Sequence, residues 1–92
     1  MLIDYDGMNH YAAKVLGFKH PIAKDEIFIN RDTLTRRETI QTIVHEIVEA
    51  NHMKEDNIIY WDAHELAAKA EKDPKNIAEI TTFLLKKKFC EV

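Results

Sequence analysis

Within residues 39–52, His45 and Glu49 are four residues apart and Glu46 follows His45 directly. In a helix, side chains at i and i+4 have Cβ atoms about 5–6 Å apart, so an imidazole nitrogen and a carboxylate oxygen can reach one metal ion. Glu46 then falls about 100° round the helix from His45, beside such an ion, where a carboxylate can take the proton of an ion-activated water. The pattern is His-Glu-x-x-Glu, with His45 and Glu49 as candidate ligands and Glu46 as candidate general base. An isolated His-x-x-x-Glu pair also suits a solvated helix face, so the distinction rests on the rest of the chain.

A second group lies downstream. If residues 60–72 form a helix, His64 and Glu71 fall within about 20° of each other, flanked by Tyr60, Ala63, Ala67 and Ala68. Polar groups on an apolar face need partners, and a buried imidazole needs them for both nitrogens. One solution is a structural His64 and Glu71 pair; the more economical one is a metal shared with the preceding helix. Glu71 can then orient the His64 ring from behind. His52 shares the polar face with Glu49 but lies about 10 Å along the axis from His45, which places it behind the ligands or on the surface. His10 and His20 fit no usable spacing.

The elements that must position these groups are legible in outline. Ile40, Ile43, Val44, Ile47 and Val48 line one side of the helix through residues 39–52, with His45, Glu49 and His52 on the other. Thr35 and Glu38 form a capping-box pair at its start, and the polar run 54–57 ends it. Before it, residues 26–30 read as the best strand, Ile27 and Ile29 pointing one way and Phe28 the other. Ala23, Lys24 and Asp25 read as a turn, after an extended or turning His20-Pro21. Residues 8–16 read as a short first helix, with Met8, Tyr11, Ala12, Val15 and Leu16 at helical spacing and Gly17 as a stop. Beyond residue 72, Asp73 and Pro74 supply an N-cap and first-turn proline for a last helix with a buried stripe of Ile77, Ile80, Phe83 and Leu84. The expected class is α+β and mostly helical: short strand or strands, the helix bearing the candidate site, and two further helices.

Ninety-two residues predict a single domain, residues 1–92, with a core small enough for a metal to help hold it together. With 46% hydrophobic and 32% charged residues the composition is globular. No apolar run is long enough to span a bilayer, and the start at residues 1–6 does not resemble a signal peptide, so a cytoplasmic location is expected. The lone cysteine, Cys90, has no internal disulfide partner, which leaves His and carboxylate as metal donors. A net charge of -3 argues against a nucleic-acid partner, and Lys86, Lys87 and Lys88 read as a solvated helix end.

The strand ending in Phe28-Ile29-Asn30, the Thr35-Arg36-Arg37-Glu38 segment and the helix reading Ile43-Val44-His45-Glu46-Ile47-Val48 together resemble a compact zincin, of the ImmA/IrrE-like and other small phage-associated metallopeptidase domains. The likeness spans residues 26–72. It implies that His45 is the first ligand, that Glu46 is the general base and that Glu49 occupies the second ligand's place, where those families usually have His. With His64 as third ligand the set becomes two His and one Glu around Zn2+, leaving one position for water. The resemblance implies a zinc-dependent hydrolase acting on a peptide or protein, with strand 26–30 pairing with an extended substrate.

Two other functions compete. Glu49 and His52 form the Glu-x-x-His element that four-helix di-iron sites use twice, but one copy is present here. Alternatively, a metal or a buried polar network only braces two helices of a non-catalytic zincin-like domain that binds a protein partner as a regulatory module.

Overall fold

The computed structural model describes residues 6–19, 21–30 and 34–87, with side chains described through Thr82. In chain order the elements are β1 (Gly7–Asn9), α1 (His10–Leu16), β2 (Ile27–Ile29), α2 (Arg36–Glu55), α3 (Tyr60–Ala70) and α4 (Pro74–Lys87). This is the mostly helical α+β arrangement the sequence predicts. His20, Arg31, Asp32, Thr33 and Cys90 lie outside the described residues, as do the side chains of Phe83, Leu84 and the lysine run.

Short-range chemistry explains most boundaries. Thr35 Oγ1 accepts from the Glu38 N–H at 3.2 Å while Glu38 Oε1 accepts from the Thr35 N–H at 2.9 Å, so the capping box is complete at the start of α2. Asp73 Oδ1 accepts from the Lys75 N–H at 2.9 Å, capping α4 ahead of its first-turn proline. Gly17 closes α1 in the left-handed region at φ 67°, where its N–H reaches the Ala13 carbonyl. The turn at residues 23–26 is closed by the Glu26 N–H on the Ala23 carbonyl at 3.0 Å.

The beginning of the chain departs from the expected helix over residues 8–16. Gly7, Met8 and Asn9 form β1, which runs antiparallel to β2 with Gly7 opposite Ile29, Met8 opposite Phe28 and Asn9 opposite Ile27. The helix starts only at His10, because Asn9 has extended backbone and turns its side-chain oxygen onto the Tyr11 and Ala12 N–H groups. β1 lies directly against α2: a Cβ on Gly7 would fall 2.5 Å from Thr42 Cγ2 and 3.1 Å from Glu46 Cγ. Only glycine permits that approach.

Met8, Ala12 and Tyr60 form a buried cluster, with Phe18, Ile22, Phe28 and Met53 packed around it. α2 makes its most extensive contact with α3, where Ala63 and Ala67 have no exposed surface and let the two helices close in. The inward side of α2 differs from the expectation. Val44 and Ile40 are buried, but so are His45, Glu46 and Glu49, whereas Ile43, Ile47 and Val48 are only half-buried. The polar side of this helix therefore faces the interior as much as the apolar side does.

Candidate metal centre

Three side chains from two helices meet at one point. His45 Nε2 lies 3.0 Å from Glu49 Oε2 and 3.1 Å from His64 Nδ1, and His64 Nδ1 lies 2.8 Å from the same Glu49 oxygen. The helical four-residue spacing brings His45 and Glu49 together, and the alanine-lined contact of α3 on α2 delivers His64.

Protons alone cannot satisfy this triangle. The Glu49 carboxylate only accepts. If both nitrogens carry hydrogens towards it, two N–H groups confront each other across 3.1 Å; if either nitrogen is bare, its lone pair faces a carboxylate oxygen, at 3.0 Å for His45 and 2.8 Å for His64. A cation inside the triangle satisfies all three donors at once. Donors about 2.0–2.2 Å from a small divalent ion are separated by about 3.3–3.6 Å in a tetrahedral set, so the atoms need part by only about half an ångström. His45, Glu49 and His64 can hold a metal ion.

Further residues fix the three candidate donors. His45 Nδ1–H donates to Glu71 Oε1 at 2.7 Å, which leaves Nε2 as the bare nitrogen of the neutral ring. Glu71 thus orients His45 and not His64, to which the sequence reading assigned it. Asn9 Nδ2 donates to Glu46 Oε1 at 2.9 Å and to Glu49 Oε1 at 3.0 Å. Nothing in the local spacing of the sequence points to Asn9. The Tyr60 hydroxyl lies 3.4 Å from His64 Nδ1.

The charges follow from this packing. Burial works to lower the His45 pKa, but hydrogen bonds to Glu49 and Glu71 and the nearby carboxylates outweigh it and raise the value to about 9. Burial and the neighbouring Glu49 charge push Glu46 up to about 7. Glu49 is also disfavoured by burial, yet its hydrogen bonds to His45 and His64 hold it below the usual carboxylate range.

The site opens on a cleft of about 320 Å³ lined by β1, α2 and α3, with Glu46 and Tyr60 on its wall. His45 and Glu49 are 9% and 2% exposed. His64, expected on a buried face, has a side chain 48% exposed. His52 is not part of the site; its Nδ1 pairs with Asp56 Oδ2 at 2.7 Å on the outer surface, so Glu49 and His52 do not converge as a di-iron element requires. The strand bordering the cleft is β1, through Gly7 and Met8, and not β2. His10 stands apart, its Nδ1–H donating to the Ile22 carbonyl at 2.8 Å. Among the described residues, no helix is long and apolar enough to cross a membrane. Comparison with protein-family models, with curated proteins and with solved structures finds no match for this chain.

Proposed function

We propose that the chain is a zinc-dependent hydrolase of minimal metallopeptidase type, with His45, Glu49 and His64 as zinc ligands and Glu46 as general base, acting on a peptide or protein substrate. The observation that carries this reading is the three-donor triangle, unsatisfiable by protons, opening on a cleft with Glu46 on its wall. Two His and one Glu with an open side match zinc sites that do chemistry, whereas sites that only brace a fold are closed by four protein donors. The ImmA/IrrE-like resemblance of residues 26–72 points the same way.

Zinc in this position supplies Lewis acidity, lowering the pKa of water towards neutrality and polarising a carbonyl. Glu46 supplies the proton path. Its Oε1 is tied to Asn9, and its Oε2 has no hydrogen-bond partner among the described residues. The carboxylate takes a proton from the attacking water as the oxygen bonds to the carbonyl carbon. It returns that proton to the amide nitrogen as the C–N bond breaks. Just outside the two strands the Asn30 N–H bonds to the Asp6 carbonyl, so by strand alternation the Gly7 N–H and C=O point away from β2. An extended peptide would pair with that edge, which replaces strand 26–30 in this role.

Metal analysis of the wild type beside His45→Ala, Glu49→Ala and His64→Ala tests the ligand set, each variant losing the ion. Glu46→Gln should retain the ion and lower hydrolysis of a peptide library by about 10²–10⁴-fold. A wild type that binds no divalent ion overturns the proposal. A wild type that binds zinc, loses stability on chelation and cleaves nothing indicates instead an ion that only holds α2 to α3 in a non-catalytic, partner-binding domain.

A further inference from the structure

Asn9 is 1% exposed, and its side chain makes four hydrogen bonds. Oδ1 accepts from the N–H groups of Tyr11 at 3.1 Å and Ala12 at 2.9 Å, closing the start of α1. Nδ2 donates one hydrogen to Glu46 and the other to Glu49. The amide has only this orientation, since a flip would set its oxygen against two carboxylate oxygens and its NH2 against two N–H donors.

Each Glu49 oxygen therefore has its own partner: Oε1 faces Asn9, and Oε2 faces the two imidazole nitrogens. We infer that Asn9 is a positioning residue of the metal centre, holding Glu49 as a one-oxygen ligand so that a coordination position stays open, and fixing Glu46 beside that position. The inference rests on the metal reading above. Without the amide, Glu49 Oε1 is a buried carboxylate oxygen with no donor, and the strongest compensating charge within reach is the ion itself. The terminal torsion of a glutamate is broad, so the carboxylate can turn to present both oxygens. Two-oxygen coordination then fills the place that water needs.

Capping and positioning can be separated, because Asp and Ser both cap helices well while neither offers the carboxylates an amide. Asn9→Asp keeps an oxygen for Tyr11 and Ala12 and sets a negative charge against Glu49; Asn9→Ser keeps the cap and is too short to reach either glutamate. Cobalt(II), whose visible absorption weakens as coordination rises from four to five, is added to the metal-free wild type and both variants, and the absorption is read per bound ion. The wild type should show the intense bands of four-coordinate cobalt. Both variants should show about twofold or more weaker bands per bound ion, with overall helix content unchanged by circular dichroism. Wild-type bands per bound ion in the variants, whether or not helix content falls, overturn the inference and leave the metal reading standing. Absence of cobalt binding by the wild type overturns both.

Discussion

Glu71, at the C-terminal end of α3, accepts a 2.7 Å hydrogen bond from Nδ1 of His45, 26 residues earlier on α2. The contact selects the ring nitrogen left for an ion and adds a second tie between the helices that carry the donors. Glu71→Ala, which removes the acceptor, should lower metal affinity about 10–100-fold, as losses behind a ligating histidine do. Competition with a chromogenic chelator measures it. Unchanged affinity would mean that the His45 ring is held by packing alone.

Metal binding should be coupled to pH. In the metal-free chain His45 keeps its proton up to about pH 9, while Glu49 is already ionised near neutrality. An ion arriving at neutral pH must displace that proton and part of the one Glu46 holds near its own pKa of about 7, so between about one and two protons should be released per ion bound. Calorimetry in buffers of different ionisation enthalpy counts them; a heat independent of buffer would contradict the protonated resting state.

The same shift sets the stability of the metal-free protein. The folded-state pKa of His45 lies above its ordinary 6.5, so its contribution is whole below 6.5 and is lost as pH rises through about 9. Glu46 acts in the same direction at lower pH: the fold resists its charged form, and stability falls as pH climbs from 4.5 towards about 7. Thermal melts in chelator should therefore drift downward across both intervals. His45→Gln should flatten the upper one and, by removing the positive charge that holds the Glu46 pKa down, widen the lower.

Gly7→Ala should cost about 1–3 kcal/mol, since the added methyl would lie 2.5 Å from Thr42 and must push β1 off α2. Urea unfolding of the metal-free proteins reads the difference. A neutral result would show that Thr42 turns aside freely.

Ala67→Leu should cost a similar 1–3 kcal/mol and also weaken zinc binding, because Ala67 is fully buried where α3 meets α2 and a larger side chain lifts His64 from its two partners. A variant destabilised by this amount that retains wild-type zinc affinity would show that His64 follows the ion and not the helix.

The parts of this arrangement legible in the sequence are those fixed by short-range rules. The Thr35 and Glu38 capping box, the Gly17 stop, the Asp73 cap and the pairing of His45 with Glu49 each depend on residues a few positions apart. His64 was found by its place beside Tyr60, Ala63 and Ala67, although its ring turned out nearly half exposed. What escaped depends on chain separation. Asn9 meets Glu46 and Glu49 across 37 and 40 residues, and its neighbours at helical spacing concealed a strand. The wheel of α2 assigned burial to the apolar side because it could not show that Asn9 and two imidazoles would stand in for water around the carboxylates.

The uneven exposure of the three donors bears on how fast the ion exchanges. The His64 side chain is half open to solvent, while His45 and Glu49 sit behind it. A cation arriving from solution would meet that ring first and would move inward without the helices parting, and a chelator would withdraw it by the reverse route. Occupancy of this centre would then follow the free metal concentration of its surroundings within the lifetime of a single folded molecule, instead of being set once when the chain folds.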